Sequence, residues 1–334
     1  MKKTTLLDIA KAVNVSKTTV SMVLNNKENN ISKDTKEKIF KVAKELNYIP
    51  NYLAKSLITK KSYSIGVLVP DIQNPFFNEM IKGMEKIAEE NGYSIILCNT
   101  LNSKKREAQH IRLLMSKAVD GLIIAPIDDK SDSFKLLESQ GIPFVIVDRL
   151  VENFENFNGV FCDNVKGISL GMEYLYNKNK RKIAFIGGNK NLITANIRLE
   201  TYVKKANEFG IYNKELNIEE DFSLEGGFKA TEKLMIKNLN IDAIFYGSDI
   251  MAIGGIKYLI RNGYKIPQDI SILGFDNIDI CKFIEPELTT IAQPIYNIGE
   301  EGIKLLIDLI NKKNVKKKII KLEPYLIERF TINR

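Results

Sequence analysis

The sequence predicts a small all-α head of helix-turn-helix type followed by a two-lobed α/β body built on parallel, doubly wound sheets. Three observations carry this expectation. Residues 5–25 hold two short helical patterns separated by a tight polar break. From Ser64 onward, short and nearly continuous apolar runs alternate with amphipathic helical patterns, as buried parallel strands and their covering helices do. That alternation restarts near Lys182, which divides the body into two lobes.

In the head, Leu6, Ile9, Ala10 and Val13 recur at helical spacing and give the first helix one buried face, and Asn14 ends it. Ser16 suits the N-cap of a second helix over Lys17–Leu24, with Val15, Val20, Val23 and Leu24 turned inward. Lys17, Thr18, Ser21 and Met22 then face outward on its N-terminal half, where a recognition helix offers side chains to a major groove. A lysine there reaches guanine O6 or N7, a threonine methyl meets a thymine methyl, and Met22 makes apolar contacts only. Ser32 caps a third helix over Lys33–Asn47 with a packing stripe of Ile39, Val42, Ala43 and Leu46. The stretch from Asn51 to Leu57 has room for one or two helical turns, too short to be stable alone.

In the body, strands are expected at Ser64–Val69, Ile95–Cys98, Gly121–Ile124 and Phe144–Val147, with helices over Phe76–Glu90 and Lys104–Lys117 between them. The second series contributes Lys182–Gly187, Ala243–Gly247 and Ile270–Phe275. Ligands of doubly wound sheets bind beyond the carboxyl ends of strands. The residues found there are Pro70-Asp71, Cys98-Asn99, Pro126, Asp148-Arg149, Gly187-Gly188-Asn189, Ser248-Asp249 and Asp276-Asn277. Carboxylates, amides and arginine around one cleft suit a hydroxylated small molecule. The competing reading of each residue alone is a turn or a helix cap.

Charge separates the two parts. Residues 1–61 carry thirteen Lys, no Arg and five Asp or Glu, a net of +8, which is also the net charge of the whole chain. The remainder sums to zero, so a basic head is attached to a neutral body. Apolar residues make up 44% of the chain and no run approaches the roughly twenty apolar residues of a membrane span. The start, Met1-Lys2-Lys3-Thr4-Thr5, lacks the apolar core of a secretory signal, which favours a cytoplasmic location. Cys98, Cys162 and Cys281 are far apart and read as buried thiols, with neither disulfide nor metal and no cofactor implied. Catalysis finds little support. The single histidine, His110, falls on a surface helix, Asp128-Asp129 sits in a loop without a base, and no phosphate-loop, zinc-protease or serine-elbow motif occurs.

The run Thr5-Leu6, Asp8-Ile9-Ala10, Ala12, Val15-Ser16, Thr19-Val20-Ser21, Val23-Leu24-Asn25, then Leu46-Asn47-Tyr48-Ile49-Pro50-Asn51, Ala54 and Ser56-Leu57 resembles the LacI/GalR family of bacterial transcription regulators. The body continues the resemblance through Val67–Phe77, Val119–Ile123, Pro143 with Val147-Asp148-Arg149, Thr194-Ala195 with Arg198-Leu199 and Tyr202, Ile272 with Gly274-Phe275-Asp276, and Pro286 with Leu288-Thr289-Thr290 and Gln293-Pro294. This resemblance implies a body that is a periplasmic-binding-protein-like effector domain. It implies that the whole is a repressor whose operator affinity is set allosterically by a small molecule held between the lobes. By the same resemblance the headpiece is residues 1–50, the hinge helix and linker 51–61, and the effector domain 62–334. The N-lobe takes about 62–161 and 294–320, and the C-lobe about 162–290 and 321–334. The implied DNA contacts fall on Thr5, Ser16, Lys17, Thr18, Thr19, Ser21, Met22, Asn25, Asn51, Ala54, Lys55 and Leu57, the last as a minor-groove wedge. The implied effector contacts fall on Phe76, Phe77, Asp148, Arg149, Thr194, Asn196, Arg198, Phe222, Asp249 and Asp276. The family pattern Thr-Ala-Arg-Glu-Arg stands here as Thr194-Ala195-Asn196-Ile197-Arg198. Two arginines suit a sugar acid through bidentate pairing, while Asp276 and Asn277 suit a neutral sugar. A homodimer on a pseudo-palindromic operator is the expected assembly, with no membrane partner. A transport-type solute-binding protein with the same body would not need the head, and a protein co-repressor is the other form of control open to the family.

Overall fold

The computed structural model describes residues 4–25, 31–48, 61–127, 132–152, 157–237, 239–312 and 318–333. Chain contacts divide it into two compact units, residues 1–62 and 63–334.

The first unit holds three helices, α1 (Leu6–Val13), α2 (Lys17–Leu24) and α3 (Lys33–Glu45). Asn14 stops α1 in the left-handed conformation at φ 56°, which asparagine tolerates better than most residues. Ser16 and Ser32 cap α2 and α3 by accepting from Thr19 N at 3.0 Å and Thr35 N at 3.3 Å. Ile9, Ala10, Val20, Val23, Ile39 and Ala43 form the core, with Leu6, Val13, Val15, Leu24 and Val42 against it. Leu46 departs from the expected stripe: α3 ends at Glu45, and Leu46, at its C-cap, is 40% exposed.

The second unit carries two six-stranded sheets. The first contains β1 (Ser64–Val69), β2 (Ser94–Asn99), β3 (Gly121–Ile124), β4 (Phe144–Val147), β5 (Gly159–Cys162) and β11 (Ile319–Leu322), in the order β11-β5-β4-β3-β1-β2. Every neighbouring pair is parallel, with Ser64 opposite Ser94 and Ile65 opposite Gly121. The second contains β6 (Ile183–Gly187), β7 (Asn217–Glu219), β8 (Ala243–Tyr246), β9 (Ser271–Asp276), β10 (Thr290–Ala292) and β12 (Tyr325–Ile327), in the order β12-β10-β9-β8-β6-β7. Only β12 runs antiparallel to its neighbour. The central strands are buried along their whole length, as a sheet covered on both faces requires.

Helices α4 (Pro75–Glu90), α5 (Lys104–Ser116), α6 (Asp132–Ser139) and α11 (Ile295–Ile310) accompany the first sheet. Helices α7 (Asn164–Asn177), α8 (Ile193–Glu208), α9 (Leu224–Ile236) and α10 (Asp249–Arg261) accompany the second. Close backbone approach fixes two of these pairs. A Cβ at Gly83 of α4 would run into the Tyr296 carbonyl of α11, and one at Gly227 of α9 into the Met251 carbonyl of α10. The chain passes between the sheets three times: after Cys162, after Ala292 and after Leu322. The last crossing lies one to two residues beyond the expected lobe boundary at 320, because β11 keeps pairing with β5 up to Leu322 opposite Cys162. Cys98, Cys162 and Cys281 are buried free thiols, and burial pushes the Cys162 thiol up to about 12, far from reactivity at neutral pH.

Candidate functional site

In each sheet the strand order reverses beside the first strand of its series, β1 against β3 and β6 against β8. Loops leaving the carboxyl ends of these strands converge on one chamber lined from both lobes. From the first lobe come Asn74, Phe76 and Phe77 at the start of α4, and Asp148 and Arg149 after β4. From the second come Leu192, Thr194 and Arg198 around the start of α8, Phe222 after β7, Ser248 after β8, Asp276 at the end of β9 and Gln293 after β10. A larger outer chamber of about 440 Å³, a size suited to a small molecule, shares Asn74, Phe77, Arg149, Leu192 and Phe222 with it and leads outward past Asp71, Asn189 and Asp221.

The aromatic walls are set by local backbone. Asn74 caps α4 by accepting from Phe76 N at 3.1 Å, and Pro75 occupies the first helical turn. Phe76 and Phe77 then meet edge to face with centroids 5.2 Å apart. Phe222 lies against Gly188, where any Cβ would collide with the ring. Glycine at that strand end is therefore what lets the wall stand.

Arg198 is 5% exposed and tightly held. Its Nε donates to Asn164 Oδ1 at 2.6 Å, one terminal nitrogen donates to the Gly247 carbonyl at 2.5 Å, and the guanidinium lies 4.1 Å over the Phe275 ring. Asp276 Oδ1 accepts from Gln293 Nε2 at 2.6 Å. Arg149 donates to the Pro126 carbonyl at 3.3 Å and faces Asp148 at 3.9 Å. Burial raises the Asp148 carboxyl above its ordinary range against the pull of Arg149 and Arg198. Burial raises Asp276 further, opposed by Arg198 and reinforced by the nearby Asp249 charge. Burial lowers Arg149, which Asp148 counteracts. The site thus sets two buried carboxyls, both held above their ordinary range, beside the guanidiniums of Arg149 and Arg198. Both carboxylates also sit at positive φ, 65° for Asp148 and 128° for Asp276, a backbone strain that concentrates at functional sites.

Of the expected effector residues, Phe76, Phe77, Asp148, Arg149, Thr194, Arg198, Phe222 and Asp276 line the chamber. Asn196 and Asp249 do not. Asn196 donates to the Lys190 carbonyl at 2.9 Å and points away. Asp249 is fully buried behind the wall, accepting from Thr290 Oγ1 at 2.6 Å, Ile278 N at 3.0 Å and Cys281 Sγ at 3.1 Å. It ties the start of α10 to the loop after β9. Asn277 likewise turns aside, its Oδ1 accepting from Arg329 at 2.6 Å. Sequence reasoning places Ser248 among the strand-end residues without naming it an effector contact, and does not single out Asn74, Leu192 or Gln293, although all four line the chamber.

In the head, the expected DNA-contact residues divide by what their side chains already do. Thr5 shares Asp8 Oδ2 between its backbone N–H at 2.8 Å and its hydroxyl at 2.7 Å, while Ser16 and Thr19 pair at 2.8 Å in the α2 cap. Asn25 donates to the Ser21 carbonyl at 2.7 Å. Lys17 and Thr18 are exposed, and Ser21 and Met22 half-buried. Asn51, Ala54, Lys55 and Leu57 lie outside the described residues, as do Asp128 and Asp129.

Residues 5–51 match the family described as bacterial regulatory proteins of the lacI family, and residues 62–329 match periplasmic binding proteins and the sugar binding domain of the LacI family. The chain belongs to the LacI family. It is a DNA-binding transcription regulator with an effector-binding body. Among LacI-family proteins, it is 38% identical to the ribose operon repressor of Halalkalibacterium halodurans over 310 residues, covering 93% of this chain and 91% of that one. The Lac repressor dimer bound to operator and the anti-inducer ONPF superposes with a TM-score of 0.88 at 27% identity, covering 99% of each chain. A LacI-family regulator from Enterococcus faecium with bound ribose superposes with a TM-score of 0.73 at 32% identity, covering 80% of this chain and 98% of that one.

Proposed function

We propose that this regulator is a cytoplasmic, non-enzymatic repressor whose effector is a neutral aldopentose of the ribose class. The observation that carries the reading is the mixed lining of the chamber, with carboxyl and guanidinium groups side by side. Arg149 and Arg198 are the cations that favoured a sugar acid, yet each faces a buried carboxylate, Asp148 and Asp276 among them. A sugar acid would place its own carboxylate beside Asp148 and Asp276 as well as beside the arginines. A polyol donates to the carboxyls and accepts from the guanidiniums without bringing a charge of its own, and Phe76, Phe77 and Phe222 supply apolar faces for its ring. The named ribose repressor and the ribose-bound neighbour point the same way.

Ligand between the lobes shifts their relative arrangement, and operator affinity changes with it. The protein acts as a homodimer on a pseudo-palindromic operator, with α2 in the major groove, Lys17 and Thr18 at the bases and Leu57 as the wedge.

The test is a thermal-shift and calorimetric screen of the full chain against D-ribose, D-ribose 5-phosphate, gluconate and purine bases. Stabilisation by D-ribose that grows with the logarithm of its concentration is the expected result. A shift confined to the phosphate, the acid or a base would replace the aldopentose reading.

A further inference from the structure

Both charged anchors of the second lobe are held from the segments that cross between the lobes. Asn164 opens α7 directly after the first crossing and is 4% exposed. Its Oδ1 accepts from Arg198 Nε at 2.6 Å while its Nδ2 donates to the carbonyl of Cys162, the last residue of β5, at 3.1 Å. One amide therefore spans from the guanidinium to the final strand position of the first lobe. The third crossing runs beside the first, because Asp163 N donates to the Leu322 carbonyl at 2.9 Å. At the second crossing, Gln293 bonds Asp276 twice, through Nε2 to Oδ1 at 2.6 Å and through its backbone N–H to the Asp276 carbonyl at 3.0 Å.

We infer that Asn164 is a positioning residue that fixes Arg198 and ties its occupancy to the first interlobe crossing. An anchor held only by its own lobe would bind effector without reporting which lobe arrangement is present. An anchor whose Nε is clamped to the crossing changes geometry when the crossing bends, so effector affinity differs between the two arrangements. That difference is what coupling requires. The amide form suits the task because it accepts from the cation and donates to the strand carbonyl at once. Aspartate retains the first bond and loses the second, and alanine loses both.

This rests on the aldopentose reading for its ligand, so the experiment includes a readout that needs none. In the ¹⁵N spectrum of the ligand-free full chain, the Arg198 Nε–H gives a slowly exchanging signal, assigned by its disappearance in Arg198→Lys. Asn164→Ala abolishes its protection. With D-ribose as probe and operator DNA followed by anisotropy, Asn164→Ala weakens ribose binding about tenfold. Asn164→Asp restores ribose affinity to within about threefold of the wild type, yet leaves the ribose-induced change in operator affinity at least about fivefold smaller than in the wild type. Persistence of the protected signal in Asn164→Ala overturns the inference whether or not ribose is the effector. So does a wild-type operator response in Asn164→Asp. If the wild type ignores ribose, the aldopentose reading fails, and the Nε–H signal still decides whether Asn164 holds Arg198.

Discussion

The head and the chamber use charge in opposite ways. The head spreads its lysines over the surface: Lys17, Lys38, Lys41 and Lys44 are all exposed, and only Lys38 makes a close ion pair among the described residues, with Asp34 at 2.7 Å. The chamber instead sets two arginines and two aspartates against one another away from water. Exposed charge gives long-range attraction to a polyanion at little folding cost, and salt screens it. Buried charge gives no long-range attraction and costs desolvation, but it orients a neutral ligand and is hard to disturb without loss. A regulator needs both: one surface that finds DNA by its field and one cavity that recognises a small molecule by direct contact.

The largest expected effect separates the two directly. For six to ten phosphate contacts, operator affinity falls about 10³- to 10⁵-fold between 50 and 200 mM salt. Ribose affinity over the same range stays within about twofold, since buried pairs are little screened. Parallel filter-binding and calorimetric titrations check this, and a steep salt dependence of ribose binding would erase the contrast. Next in size is Arg198→Ala. Removing one member of a buried charge set costs about 3–5 kcal/mol, so ribose affinity drops by about a hundredfold or more while head–DNA contacts are untouched. Calorimetry with unchanged ribose binding would remove Arg198 as the anchor.

A smaller effect appears in the pH dependence of stability. Asp276 has a carboxyl raised well above its ordinary 3.8 by burial. A folded value above the unfolded one means the native state favours the protonated form. That contribution is fully present below 3.8 and is lost as pH rises through the elevated value. Asp276→Asn removes this titration, so the ligand-free melting temperature declines less with rising pH above about 4. Melting curves of the two proteins that stay parallel from about pH 4 to 8 would contradict it.

The residues readable from sequence and those that are not differ for a physical reason. Strands buried on both faces announce themselves as apolar runs, so β1, β3, β4, β6, β8 and β9 are placed to within a residue or so. Edge and crossing strands of three or four residues, β7, β10, β11 and β12, carry too few residues for a pattern. In the site, Arg198 and Asp276 stand out because charge at a strand end or helix face needs a reason. Asn74 does not, because an asparagine before Pro75 also reads as a cap, and it is one. Asp249 and Ser248 exchange roles. The acidic residue looks functional, but at a helix start one position turns a side chain by about 100°. That step sends Asp249 into the protein and leaves Ser248 on the chamber wall.

Ser248 gives the smallest and most discriminating test. It stands at the N-cap of α10 without capping it, is 3% exposed, and its hydroxyl has no hydrogen-bond partner among the described residues. A buried, unpaired hydroxyl costs about 1–3 kcal/mol, so a residue there for stability alone is better as alanine. Ser248→Ala therefore stabilises the ligand-free protein by about 1 kcal/mol, and it weakens ribose binding about fivefold because a sugar hydroxyl loses its partner. Opposite signs with and without ligand are what separate a ligand group from a packing group. Thermal melts with and without D-ribose read both signs. A ligand-free protein that melts lower, with an undiminished ribose shift, would return Ser248 to the ordinary role of a helix start.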